Sequence, residues 1–272
     1  MRRVGRLFET ELFEADDGRR DLTLLVSDLH LPSTGRVPRE LARFLDEASA
    51  RGERARVCVL GDLFDAYVTD RQSGAGICAE VASLFARCAR AGVSVHCLHG
   101  NRDFLLGRRF SAAASCRVVP GGLFCEVARS RCLLLHGDEL CRNDLPYQRA
   151  KRRLRSAWVR AASRALPLFV AEKLAARARQ KSMDAIASGD QDRFDPTREA
   201  LDAAFRAGAD LVVFGHVHRL GAGELDGRPY RVLPAFDESA VGLRAEGGQW
   251  RFVSARTGYL AAVPEPGPIR LA

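Results

Sequence analysis

Asp28, His30, Asp62, Asn101, His136, His216 and His218 stand in one ordered series of short motifs. These are Asp28-Leu29-His30, Gly61-Asp62, Gly100-Asn101-Arg102-Asp103, His136-Gly137-Asp138 and Gly215-His216-Val217-His218. Five of the six histidines fall in or beside these motifs, and only His96 stands apart. The donors on offer are carboxylate, imidazole and amide, with no thiolate, a set that suits Mn²⁺, Fe²⁺ or a mixed hard and borderline pair better than a structural zinc. Two divalent ions about 3.5 to 4 Å apart need one shared carboxylate, and they clamp the attacking and departing oxygens of an in-line displacement at phosphorus. Asp62 is the expected bridge, and the other six side chains divide evenly between the ions. The expected chemistry is two-metal phosphoester hydrolysis.

Each motif alone has a plainer explanation. Asp-x-His is common, and Gly-Asn opens many loops because both residues tolerate left-handed backbone. Gly-His-x-His is more specific, since it follows the apolar run at 211–214 and strand alternation places His216 and His218 on one face. The order and spacing of all five motifs together are what coincidence does not supply.

The elements that must position these residues alternate. Residues 22–27, 57–60 and 93–98 read as strands, separated by helical stretches at 38–50 and 77–91, the pattern of βαβ units. The metal-binding side chains then emerge at strand C-terminal ends, where open α/β sheets place their sites. Later strands at 122–127 and 131–135 read as antiparallel, and 223–233 reads as a hairpin around Asp226-Gly227. The first twenty residues are expected to add a strand, and the tail at 264–272 is expected to be loose.

Between the motifs at His136 and His216 lies a long basic segment. From Tyr147 to Ser182 it carries eleven Lys and Arg against Glu172 alone, a local excess of +10, while the whole chain is +8. The rest is therefore slightly acidic. The segment reads as two helices, at 147–165 and 168–188, broken near Pro167. Leu154, Trp158, Val159, Leu166, Leu168, Phe169 and Val170 interleave with the bases. Such a helical hairpin could face acyl chains on one side and anionic head groups on the other. Basic charge also admits nucleic acid, through phosphate contacts and stacking on Trp158 or Phe169, but that partner is not expected.

At 272 residues with 47% apolar content, the chain can bury a substantial core as one domain, 1–272, with residues 146–188 as an inserted cap. No apolar run approaches the roughly 20 residues that span a bilayer, and the arginine-bearing N-terminus lacks a signal core. A cytoplasmic protein, peripheral on the inner face of the inner membrane, is expected. The eight cysteines form no Cys-x-x-Cys pair and are read as reduced, packed thiols.

From about residue 22 to about 253 the chain resembles the calcineurin-like metallophosphoesterases. Within them the strings Gly61-Asp62-Leu63-Phe64, His99 to Leu105 and His136 to Cys141 are similar to those of the UDP-2,3-diacylglucosamine diphosphatases of lipid A biosynthesis. Arg102 stands where most of the superfamily carries a leaving-group histidine, as it does in those enzymes. The resemblance implies a four-layer αββα sandwich with a helical-hairpin cap. It implies two divalent ions, Mn²⁺ foremost with Fe or Zn as alternatives. Asp28, His30, Asp62 and His218 would hold one ion, and Asp62, Asn101, His136 and His216 the other. Asn101, Arg102, Asp144, Tyr147, Lys181 and His216 would contact substrate. Two further polar contacts of the family fall on Leu174 and Ala178, which cannot replace a hydrogen-bonding side chain; Arg177 or Arg179 lie beside them.

The implied reaction is hydrolysis of the diphosphate of UDP-2,3-diacylglucosamine to 2,3-diacylglucosamine 1-phosphate and UMP. A hydroxide held by the two ions attacks phosphorus, while Asn101, Arg102 and His216 offset the growing charge. His99 is expected to support the motif loop. The alternatives are a calcineurin-like phosphodiesterase or nuclease on another anionic substrate, and a metal-free binding module. Retention of all seven candidate ligands counts against the last.

Overall fold

The computed structural model describes residues 1–33, 35–127, 129–156, 158, 159, 170, 173, 177 and 194–272. Strands β3 (Leu22–Val26), β4 (Ala55–Val59) and β5 (Ser94–Leu98) run parallel, joined through helices α1 (Arg39–Arg51) and α2 (Gly76–Arg90). These match the expected βαβ units to within two residues at each end. Pleating decides what each strand residue meets. Leu22, Leu24 and Val26 pack against Leu41, Phe44 and Leu45 of α1 and Val81 and Phe85 of α2, while Leu25 faces the opposite sheet.

Sequence reading left several elements unassigned. Helix α3 (Arg108–Ala114) leads into strand β6 (Arg117–Val119), which pairs parallel with β5. The N-terminal segment forms two strands rather than one, β1 (Arg2–Leu7) and β2 (Thr10–Glu14). Strands β7 (Gly122–Val127) and β8 (Ser130–Leu135) are antiparallel, as expected. Helix α4 spans Leu145–Leu154, and helix α5, Arg198–Arg206, precedes strand β9 (Leu211–Phe214). The expected hairpin is β10 (Gly221–Leu225) and β11 (Arg228–Val232), turning through Asp226 and Gly227 with φ of 51° and 76°. A short helix α6 (Phe236–Ser239) and strands β12 (Val241–Glu246), β13 (Gln249–Ser254) and β14 (Ala261–Ala262) complete the described elements.

The strands form two seven-stranded sheets, ordered β1-β2-β7-β8-β9-β11-β10 and β14-β13-β12-β3-β4-β5-β6. Leu25, Cys58, Leu98 and Leu243 of one sheet meet Leu123, Leu134 and Val213 of the other in a shared core. Helices α1, α2 and α3 cover the outer face of the second sheet, and α5 covers that of the first through Leu201, Ala204 and Phe205. This is the four-layer αββα sandwich. All eight cysteines are buried and free.

Two expectations need correcting. The helix expected at 147–165 is interrupted after Leu154 by a turn at Arg155, whose guanidinium swings inward to the Gly100 carbonyl at 3.0 Å; residues 158 and 159 are helical again, and 157 and 160–165 lie outside the described residues. Of the helix expected at 168–188, residues 170, 173 and 177 are described, each helical, and the rest lies outside the described residues. The tail at 264–272 is docked, not loose. Ala272 N donates to the Pro196 carbonyl, Arg198 N to the Ala272 carbonyl and Ala222 N to the Gly267 carbonyl. Ile269 and Leu271 pack on the outer core and cover the edge strand β10, and a Cβ at Gly221 would overlap Ile269.

His96, the histidine outside the motifs, belongs to a buried ionic clasp. Alternation along β4 points Arg56 inward with Cys58. There its guanidinium donates to Asp17 at 2.8 and 2.9 Å, to the Gly18 carbonyl and to the Glu126 carbonyl on β7. His96 Nε2 lies 3.1 Å from Asp17. Burial opposes a charge on Asp17, but His96 and Arg56 outweigh it and hold the carboxyl below its usual range. The clasp ties the link between β2 and β3 to both sheets. Removing one partner of a buried pair leaves the other charge uncompensated, so Asp17→Ala should lower unfolding stability by about 3–5 kcal/mol. The measurement is a shift in the denaturant midpoint, and an unshifted midpoint contradicts a stabilising clasp.

Candidate active site

Every candidate ligand sits just past the C-terminal end of a strand. Asp28 and His30 follow β3, Asp62 follows β4, Asn101 follows β5, His136 follows β8, and His216 and His218 follow β9. The first three strands belong to one sheet and the last two to the other, so the site forms where the ends of both sheets converge.

The loops that carry them are sharply turned. Asp28, His30, Asp62, His216 and His218 all have positive φ, between 42° and 69°. Left-handed backbone disfavours residues with a Cβ, and it persists where the surroundings over-determine it. Here Leu29 N and His30 N both donate to the Asp62 carbonyl at 2.9 and 3.0 Å, and Asp28 N donates to the Gly61 carbonyl at 3.2 Å. Gly100 and Gly215 permit the close approach, because a Cβ would overlap the Asp62 carboxylate at the first and Ser27 Oγ at the second.

Asp28 is fully buried, and its Oδ2 accepts from Ser27 Oγ at 2.5 Å and from the His216 amide at 2.8 Å. That leaves Oδ1, which lies 3.4 Å from His218 Nε2 and 3.9 Å from His30 Nε2. Asp62 Oδ2 lies 3.5 Å from His30 Nε2, and its Oδ1 lies 3.8 Å from His136 Nε2. The two oxygens of Asp62 thus face different histidines. His136 Nδ1 donates to the Leu60 carbonyl at 2.9 Å, which fixes the ring so that Nε2 points to Asn101 Oδ1 at 2.9 Å and His216 Nδ1 at 3.2 Å.

This arrangement fits divalent cations. Asp28, His30 and His218 converge, as do Asp28, Asp62 and His136, each set with ligand atoms within 4.8 Å of one another. Asp28 Oδ1 and His30 Nε2 are buried without a hydrogen-bond partner, and a cation would satisfy both. Charge points the same way. Burial disfavours a charged His136, yet Asp62, Asp28, Asp138 and Glu139 outweigh it and raise the imidazole to about 9. Burial and the neighbouring His136 hold His216 down to about 4. Buried carboxylates that force a proton onto a histidine lack positive charge, which divalent ions supply.

The expected substrate contacts fall in different places. Arg102 is part-exposed, with Nε 3.4 Å from Asp62 Oδ2 and Nη1 donating to Asp65 Oδ1 at 2.9 Å. Its backbone N donates to Asp62 Oδ1 at 2.9 Å. Asp144 is the N-cap of α4, accepting from Tyr147 N at 3.3 Å. Tyr147 stacks near His216, with ring centroids 6.3 Å apart, and its hydroxyl donates to Asp138 Oδ2. Lys181, Leu174, Ala178 and Arg179 lie outside the described residues. His99 Nε2 donates to the Leu106 carbonyl at 2.8 Å, a loop-supporting contact.

Several groups had no role in the sequence reading. Asp103 accepts from Gly100 N at 2.8 Å and from Leu63 N at 2.7 Å, stapling the Asp62 loop to the Asn101 loop. Burial, then the Asp62 charge, raises its carboxyl to about 7. Asp138 is buried beside Lys151 Nζ at 2.8 Å, with Arg155 Nη2 at 3.8 Å. Tyr147, Lys151 and Arg155 recur every four residues, the spacing of one helix face that could have marked them. Asp237, on α6, lies 3.1 Å from His30 Nδ1, and no motif points to it.

Residues 22–220 match the family model of calcineurin-like phosphoesterases. The chain is 38% identical over 205 residues to a protein of Ralstonia nicotianae named UDP-2,3-diacylglucosamine hydrolase, covering 71% of this chain and 76% of that one. It is 34% identical over 199 residues to a protein of the same name from Photorhabdus laumondii, covering 72% of this chain and 82% of that one. Among solved structures, Zn²⁺-complexed Vps29 from Entamoeba histolytica aligns at 14% identity with a TM-score of 0.46, over 89% of this chain and 97% of that one. The chain belongs to the calcineurin-like phosphoesterase family and is a metal-dependent hydrolase.

Proposed function

We propose that this hydrolase cleaves the diphosphate of UDP-2,3-diacylglucosamine, releasing UMP and 2,3-diacylglucosamine 1-phosphate. The observation that carries the reading is the convergence of seven donors from both sheets, with Asp28 Oδ1 and His30 Nε2 buried and unpartnered. The name shared by the curated relatives supports the choice of substrate. Asp28, His30, Asp62 and His218 would hold one divalent ion, and Asp62, Asn101, His136 and His216 the other, with Mn²⁺ favoured by the hard and borderline donor set. When bound there, the ions supply Lewis acidity, which makes water a nucleophile at neutral pH and offsets negative charge at phosphorus.

The chain's own residues do the rest. Asp62, with Oδ2 toward His30 and Oδ1 toward His136, would be shared between the ions, and Asp28 is common to both convergent sets. Arg102, braced by Asp62 and Asp65, presents its guanidinium to the phosphoryl oxygens as charge develops, and Asn101 orients beside it. No side chain need protonate the leaving group, because a phosphate monoester, with a second pKa of about 6, departs as an anion. Residues 1–272 would form one domain, with 146–188 as its cap. On α4 and just beyond, Leu145, Leu154 and Trp158 are 57%, 47% and 87% exposed among Arg149, Arg152 and Arg153. Apolar groups ringed by bases suit an anionic membrane surface, which would place the protein on the inner face of the inner membrane. No described helix is long and apolar enough to cross a membrane.

With Mn²⁺ and UDP-2,3-diacylglucosamine, UMP release is expected to exceed cleavage of an aryl phosphodiester or single-stranded DNA. Brisk cleavage of either of those with no UMP would sink the lipid assignment. Asp62→Ala should abolish UMP release and reduce bound Mn²⁺, whereas Arg102→Ala should keep the metal and lower kcat about 10²-fold or more. Turnover at the wild-type rate in Asp62→Ala would defeat the two-ion mechanism. In flotation assays the protein should rise with anionic vesicles and not with neutral ones. The pair Leu154→Ser and Trp158→Ser should remain in solution, and unchanged flotation would dismiss the membrane role of this face.

A further inference from the structure

We propose that Asp237 is the positioning residue that makes His30 a metal ligand, an inference that rests on the two-ion reading above. A neutral imidazole carries one proton, and the nitrogen that bears it cannot bind a cation. Asp237 Oδ2 lies 3.1 Å from His30 Nδ1, so its carboxylate holds the proton there and leaves the lone pair on Nε2. That Nε2 is the buried, unpartnered atom, 3.5 Å from Asp62 Oδ2 and 3.9 Å from Asp28 Oδ1. The proton and the lone pair are thus assigned to opposite edges of one ring.

The carboxylate is held in place by the loop it serves. Phe236 N donates to the Ser27 carbonyl at 3.1 Å and to the Asp28 carbonyl at 3.0 Å, which seats α6 on the turn that carries Asp28 and His30. The Phe236 ring packs edge-on against Phe44 of α1, with centroids 5.4 Å apart. Asp237 therefore stands at a set distance from His30, although its side chain is 37% exposed. His136 gets the same service from the Leu60 carbonyl. A carboxylate does more than a carbonyl, since its charge also raises the basicity of the ring it supports.

The test is calorimetric titration of the metal-free protein with Mn²⁺, with thermal unfolding of the metal-free form alongside. Wild type should bind two ions. Asp237→Ala should weaken one of the two by about 10- to 100-fold, the range typical of a lost partner behind a ligating histidine, and leave the other unchanged. The metal-free unfolding midpoint should not move. Asp237→Asn keeps an oxygen that accepts from Nδ1–H and should retain most of the affinity, and Glu238→Gln next to it should behave as wild type. Equal affinities in wild type and Asp237→Ala would overturn this role while leaving the two-ion reading intact. An Asp237→Asn variant as weak as Asp237→Ala would overturn the tautomer argument. A wild type that binds no Mn²⁺ would instead overturn the two-ion reading itself.

Discussion

The His216 amide donates to Asp28 Oδ2 across 2.8 Å, and this bond joins the loop after a strand of one sheet to the loop after a strand of the other. A sandwich brings two sheets face to face but does not by itself bring their strand ends to one point. Here the junction does so. It occupies one oxygen of Asp28 and turns the other toward His30 and His218. The left-handed backbone at five of the seven candidate ligands follows from the same constraint, because each loop must double back within a few residues of leaving its strand. Gly61, Gly100 and Gly215 are the neighbours that make room.

Around that junction lies an outer layer of carboxylates, each with a different task. Asp103 spends both oxygens on backbone amides, which fixes the spacing between the Asp62 and Asn101 loops. Asp138 and Glu139 stand against Lys151 and Arg155, so the basic face that α4 turns inward is neutralised where it stands. It braces the Gly100 carbonyl through Arg155 rather than presenting free charge to an anion. Asp65 steadies Arg102, the part-exposed cation that reaches toward the cleft. The bases of α4 that face inward are thus paired within the fold, while Arg102, on the loop after β5, keeps part of its guanidinium exposed.

Much of this is legible in the sequence. The seven candidate ligands stand in motifs whose position after apolar runs is itself the signal, and the βαβ pattern of the first hundred residues follows from periodicity. The rest was hidden for physical reasons. Arg56 looks like a surface residue in the sequence, and only the inward phase of β4 and the distant Asp17 and Glu126 explain its burial. The tail reads as loose because Ile269 and Leu271 are too few to announce a strand, yet they suffice to cover an edge. The bond from the Tyr147 hydroxyl to Asp138 was hidden too, because it joins a helix to the loop after β8. Asp237 reaches His30 from 207 residues away, and contact over such a separation leaves no spacing to find.

The arginine at position 102 bears on which phosphoester the site can serve. A guanidinium stays charged at any accessible pH and binds anions in a fork, but it does not hand over a proton. Its bonds to Asp62 and Asp65 aim it as a clamp. A nuclease must expel an alkoxide, which is strongly basic and gains from a proton donor; a diphosphate cleaved at its bridge expels a phosphate that is stable as the anion it becomes. A fixed guanidinium charge at position 102 answers the second demand better than the first, because it attracts phosphoryl oxygens and supplies no proton.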